Sequence, residues 1–211
     1  MSLAQLNVQY LTYLSKYPLL TKALTAGILG SLNEIVASTI AGDKQTINIA
    51  GIKVRHILTS KTIGLFIFGF CMSAPISHNL YAIINQIFKP PISTKLKLLQ
   101  ILTSLATVTP TVSAVYTSWI GLLNAYHPNF SKNPLPTEIG NILRVIKMSL
   151  KRNYSTILKT SLSVSAVSLV IAQKYIDPQL WVVFFSVVSF CVGTYQNTKL
   201  KRKQLAVKKD E

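Results

Sequence analysis

Between Lys61 and Lys89 run 27 consecutive residues, Thr62–Phe88 (TIGLFIFGFCMSAPISHNLYAIINQIF), with no Lys, Arg, Asp or Glu. Coiled as a helix, such a stretch reaches roughly 40 Å at ~1.5 Å per residue. The hydrocarbon core of a bilayer is about 30 Å thick and needs ~20 largely apolar residues to cross. Water-soluble core helices are seldom this long or this evenly apolar. The stretch therefore reads as a membrane span with Pro75 inside it. An interior proline loses one backbone hydrogen bond, which membrane bundles tolerate when a neighbour satisfies the freed carbonyl.

The rest of the chain agrees. Of its 211 residues 49 % are hydrophobic and only 13 % are charged, against about 25 % in an ordinary soluble domain. The acids number six, Glu34, Asp43, Glu138, Asp177, Asp210 and Glu211, against 22 Lys and Arg, for a net charge of +16. A nucleic-acid-binding protein carries such an excess on a polar fold. Here the bases lie between apolar blocks, an arrangement suited to loops beside anionic head groups. The two cysteines, Cys71 and Cys191, lie within apolar blocks and form neither a metal-ligand spacing nor a disulfide framework. The first ten residues, MSLAQLNVQY, have neither the basic-then-apolar pattern of a secretory signal nor the arginines of a mitochondrial presequence.

Taken in order, residues 1–20 are amphipathic and rich in tyrosine, which favours the membrane interface. Ala23–Gly42 is a span of small residues, with Gly27 and Ser31 in a small-xxx-small pair that permits close helix approach in lipid. Asp43–Lys61 is a polar connection, and Lys89-Pro90-Pro91 ends the central span. Leu98–Ser131 has 34 residues without Lys, Arg, Asp or Glu, and Pro110 predicts a kink there. Pro128, Pro134 and Pro136 make a stiff loop. Ile139, Ile142, Leu143, Ile146 and Leu150 then recur at helical spacing beside Arg144, Lys147, Lys151 and Arg152, which predicts an interfacial amphipathic helix. Ile157–Ile176 is a weaker, Ser-rich span. Asp177-Pro178 turns the chain into the apolar Gln179–Thr198. Six bases lie between Lys199 and Lys209, which the positive-inside rule places in the cytosol.

The expected fold is all-α: a polytopic transmembrane helix bundle of at least four spans, five if the Ser-rich block also crosses, with one amphipathic interfacial helix. Residues 1–198 form one membrane domain, and 199–211 a disordered basic cytosolic tail.

Particular residues add a resemblance. Tyr10, Leu14, Pro18 and Lys22 form Y-x3-L-x3-P-x3-K, and Thr21, Thr25, Gly27 and Leu29 continue it. Arg55, Gly64 and Ala74–Tyr81 (APISHNLY) follow, similar to G-P-x-x-H-x-W-Y with Ala74 and Leu80 in place of Gly and Trp. The pattern resembles the twenty-two-kilodalton peroxisomal membrane protein family, which includes the mitochondrial Mpv-seventeen protein. Departures are Asn33-Glu34 for Gly-Asp, Ser38 for Gln, Asp177 inserted between Ile176 and Pro178, Trp181 for Arg, and no W-P-x-x-Q in Leu162–Gln173. The resemblance implies an organelle membrane protein associated with a small-solute pore and membrane integrity. It also implies that Tyr10, Leu14, Pro18 and Lys22 are a targeting element, and that peroxisomal import machinery is a partner.

Glu34 is the span's one charge, in a place where a carboxylate costs about 2.5–3.5 kcal/mol. It lines a pore, paired with a base from another helix, or it is a hydrogen-bonded helix contact. His78 is the titratable group of the central span, and a helix contact is its favoured role. Pro75, His78 and Tyr81 share a face at spacings of three, expected to point into the bundle. The hydroxyls of Leu98–Ser131 and Ile157–Ile176 either wet a pore or bond their own backbone, the second being commoner. No catalytic constellation, cofactor motif or metal cluster stands out, so the chain reads as a non-enzyme. Lys208-Lys209-Asp210-Glu211 resembles a dilysine retrieval signal, but a basic tail near anionic lipid is the preferred account.

The expected function is a peroxisomal membrane channel for small solutes, with a non-conducting structural or assembly protein as the alternative. The mitochondrial inner membrane is the alternative location. Expected partners are the bilayer and further copies of the chain, without nucleic acid.

Overall fold

The computed structural model describes residues 3–43, 45–49, 52–56, 59–89, 93–126, 134–175 and 181–210. Seven α-helices and one hairpin follow in order: α1 Leu3–Lys16, α2 Pro18–Ala41, β1 Gln45–Ile49, β2 Ile52–His56, α3 Ser60–Ile67, α4 Ala74–Ile87, α5 Thr94–Ala125, α6 Leu135–Tyr175 and α7 Trp181–Asp210. Among the described residues four helical stretches are long and apolar enough to cross a bilayer: Pro18–Ala41, Ser60–Ile87, Lys95–Ala125 and Leu135–Ile171. The chain is an all-α polytopic membrane protein. The antiparallel hairpin, with Ile47 opposite Val54, lies in what the sequence predicted as a plain polar connection.

The central span is one helix with a wide turn in it. Phe68–Ser73 is a π-helical segment between α3 and α4, and Pro75 stands in the first turn of α4. A proline has no N–H to give the carbonyl four residues back, and its ring crowds that carbonyl. The widened turn carries the helix past it.

The chain forms two compact units, residues 1–71 with 170–211, and residues 72–169. In the first, α2 packs against α1, α3 and α7. The small residues of α2 make the contact. A side chain at Gly69 would strike the backbone of Ala26, and one at Gly30 would lie 2.8 Å from the Leu65 carbonyl. Ser31 Oγ donates to the Thr62 carbonyl at 3.2 Å, so the Gly27/Ser31 face is a helix contact. Leu20, Leu24, Ile28, Leu32 and Ile40 of α2 are exposed, while Ala23, Gly27, Glu34, Ala37 and Ser38 are buried. Large apolar groups outside and small or polar ones inside is the distribution that lipid, not water, stabilises.

In the second unit α4 packs on α5, where Gln100 Nε2 donates to Asn85 Oδ1 at 2.9 Å. Ser149 Oγ of α6 donates to the Thr117 carbonyl of α5 at 2.9 Å, and Gly121 leaves the space that Ser149 occupies. Tyr126, just past α5, donates from its hydroxyl to Glu138 Oε2 at 2.7 Å, and Glu138 is buried. This hydrogen bond first, then burial and the Glu138 charge, raise the Tyr126 phenol above its ordinary value.

Two expected boundaries are corrected. The amphipathic helix and the Ser-rich span are one 41-residue helix, α6. Past Pro136 that stretch contains no proline, and nothing breaks its backbone ladder. The basic stretch from Lys199 is not disordered: α7 runs through it to Asp210. The expected loop at 128–133 and the Asp177-Pro178 turn fall outside the described residues.

Candidate functional site

A closely connected polar group is built at the C-terminal end of α2. A helix end needs partners for its last carbonyls. Here Gly42 adopts φ +74, the left-handed cap conformation that glycine takes without strain. Gly42 N–H donates to the Thr39 carbonyl at 3.3 Å and Asp43 N–H to that of Ser38 at 2.9 Å. This turn holds Asp43 next to the helix it follows, beside Glu34.

Lys201, two turns past Gly193 on α7, lies between the two carboxylates. Its Nζ is 2.7 Å from Glu34 Oε1 and 2.7 Å from Asp43 Oδ2. Lys201 is 3 % exposed, Glu34 1 % and Asp43 27 %. Glu34 has two further donors: Asn197 Nδ2 to Oε2 at 2.7 Å, and Thr59 Oγ1 to Oε1 at 3.4 Å. Thr59 is itself fixed by the start of α3, where its N–H donates to Thr62 Oγ1 at 3.2 Å. Asn197 also donates to Asn33 Oδ1 at 3.3 Å, and Asn33 donates to the Phe190 carbonyl at 3.4 Å. A side chain at Gly193 would collide with the Asn33 amide, so glycine there admits the link. Arg202 donates to the Ile40 carbonyl at 3.4 Å, placing a cation at the negative end of α2.

These contacts step along both helices in the same sense: Asn33 opposite Phe190, Glu34 opposite Asn197 and Lys201, Ile40 opposite Arg202. α2 and α7 therefore run parallel. Burial works to lower the Lys201 pKa. The hydrogen bonds to Asp43 and Glu34, with their charges, outweigh it and hold the ammonium above the ordinary lysine value. Chemically, the group is a buried ion-pair clamp joining α2, the start of α3 and α7.

Glu34 thus has a base from another helix, and it lies somewhat past the middle of its span, at the seventeenth of 24 positions in α2. Sequence reasoning did not find Lys201, Asp43, Asn197 or Thr59. The one signal was a lone intramembrane acid that needs a partner. Pro75, His78 and Tyr81 belong to the second compact unit. Pro75 and His78 are half-buried, while Tyr81 is 45 % exposed, and the closed positions of α4 are Ala74 and Ile84. Ala74 and Ile84 stand one helical turn from His78 and Tyr81 respectively. Of the expected targeting residues, Tyr10, Leu14 and Lys22 are half-buried across the α1–α2 corner, and Pro18 opens α2. Thr21 Oγ1 donates to the Tyr13 carbonyl at 3.0 Å and fixes that corner.

The hydroxyls of α5 also have partners. Thr103, Thr107, Thr111, Thr117 and Ser118 each donate to the carbonyl four residues back, at 2.7 to 2.9 Å. Among the described residues no group of three or more His, Cys, Asp or Glu is placed to hold a metal ion.

Residues 138–197 match the sequence profile of the Mpv17 / PMP22 family. The Woronin body membrane protein wscA of Aspergillus fumigatus is 32 % identical over 196 residues, covering 93 % of this chain and 77 % of that protein. The Woronin sorting complex protein of Neurospora crassa is 30 % identical over 197 residues, covering 93 % of this chain and 57 % of its own length. The peroxisomal membrane protein PMP22 of Arabidopsis thaliana is 23 % identical over 201 residues, covering 95 % and 93 % respectively. No solved structure matches the chain.

Proposed function

The chain belongs to the Mpv17/PMP22 family, and from that premise we propose that it is a peroxisomal membrane protein serving as a structural or sorting component, not as an open solute pore. One observation carries the choice. Glu34, the acid best placed to line a conduction path, is closed into a clamp with Lys201, Asn197 and Thr59. The self-bonded hydroxyls of α5 point the same way, because a donor committed to its own backbone is a poor ligand for passing solute. The relatives' names, a Woronin body membrane protein, a Woronin sorting complex protein and a peroxisomal membrane protein, support both role and location. In this reading Tyr10, Leu14, Pro18 and Lys22 form the surface that peroxisomal membrane import machinery recognises.

Purified protein in liposomes tests the choice. Solute efflux no faster than from empty vesicles, together with partners captured by crosslinking in the native membrane, supports the reading. Graded flux that Glu34→Gln or Glu34→Ala alters would instead establish a pore. Fluorescent tagging against peroxisomal and mitochondrial markers tests the location. Removing residues 1–30 without loss of peroxisomal sorting would reject the targeting role.

A further inference from the structure

Helix α6 is 41 residues long. At ~1.5 Å per residue it reaches about 60 Å, twice the thickness of a hydrocarbon core. Half of it must lie at or beyond the head groups. The half after Arg152 carries the Ser-rich run Ile157–Ile171, whose one charge, Lys159, can snorkel. The other half, Leu135–Arg152, carries Arg144, Lys147, Lys151 and Arg152, all exposed.

This half is held to α5 by Ser149 and Glu138. Glu138 is the one acid in α6, and it is buried against Tyr126. No exposed carboxylate of the helix therefore offsets the four cations, and neither of the two ion pairs among the described residues includes them. Arg144, Lys147 and Lys151 stand at spacings of three and four, so they line up along the helix. Beside them Ile139, Leu143 and Met148 are exposed, Leu143 at 61 %. Cations interleaved with large bare apolar groups, on a helix whose other half is in the bilayer, match the head-group layer that the helix passes through.

We propose that the exposed face of Leu135–Arg152 is a binding surface for anionic phospholipid head groups of the bilayer in which the protein sits. Arg144, Lys147, Lys151 and Arg152 contact the phosphates. The surface depends on membrane insertion alone and not on the choice between pore and sorting component.

The test uses the full chain in nanodiscs of phosphatidylcholine with a minority of phosphatidylserine. The phosphatidylserine retained after extraction is counted by native mass spectrometry. Wild type should retain it in preference to phosphatidylcholine, less so at high salt. Each change to glutamine among Arg144, Lys147, Lys151 and Arg152 should lower that preference about five-fold. The charge-preserving set Arg144→Lys, Lys147→Arg, Lys151→Arg and Arg152→Lys should keep it, which separates lost charge from lost folding. Equal retention by the fourfold glutamine variant overturns the proposal. So does displacement of phosphatidylserine by millimolar inorganic phosphate or by a short RNA, which would mean a soluble anion site.

Discussion

Replacing Lys201 with methionine keeps length and apolar stem but removes the charge between Glu34 and Asp43. At 2.7 Å, each contact has a gross Coulomb energy of about 6 kcal/mol at an effective dielectric of ~20, before desolvation is counted. Most of that gross energy offsets the cost of taking the charges out of water, so it is not the net loss. What the variant does is leave Glu34, 1 % exposed, as a buried acid without its cation. Breaking a buried pair in this way costs about 3–5 kcal/mol. Asp43 adds little, because at 27 % exposure it can rehydrate. For a chain of this size the loss corresponds to roughly 6–20 °C in midpoint. The assay is thermal unfolding of purified protein in detergent, followed by circular dichroism. Glu34→Gln combined with Lys201→Met should recover most of the loss, since no unpaired buried charge remains. Lys201→Met within about 0.5 kcal/mol of wild type would refute the reasoning. So would a double variant whose loss equals the sum of the single losses, because the two groups would then be uncoupled.

Stability should also fall at high pH through the same residue. The folded Lys201 pKa lies above its ordinary value, so its contribution is intact below that value and is lost as pH rises through the folded one. Unfolding midpoints measured from pH 8 to 12 should show a step in wild type that Lys201→Met lacks. Gly69→Val should push α2 away from the π-helical turn after α3, because the added side chain meets the Ala26 backbone and cannot be relieved by a rotamer change. About 1–3 kcal/mol is expected, read as a fall in unfolding midpoint, and an unchanged midpoint would show that the helices do not approach so closely. Because α2 and α7 run parallel, the stretch after α2 and the basic end of α7 should lie on one side of the membrane, the cytosolic one. Single cysteines at Thr46 and Lys208 in a Cys71→Ser, Cys191→Ser background should both react with an impermeant maleimide in intact organelles. Labelling of only one would contradict the parallel arrangement.

The chain's uncharged blocks settled by themselves that its helices belong in lipid. Excluding charge over 27 or 34 residues is a property of contiguous sequence, and a bilayer of fixed thickness reads it directly. The place of Pro75 in the central span was legible for the same reason, and so was the small-residue face at Gly27 and Ser31. The path of α6 as one helix was obscured because its apolar pattern changes from one-sided to all-round near Arg152, although the backbone does not break there. The clamp needed the tertiary structure. Glu34 announced a cost, but its ligand Asn197 is 163 residues away, and nothing local ties the two together. Their meeting follows from the parallel packing of α7 on α2, from a glycine at 193 that admits the Asn33 amide, and from a left-handed Gly42 that holds Asp43 beside the same lysine. Burial of a charge is decided by which helices come together, and periodicity along one helix carries no information on that.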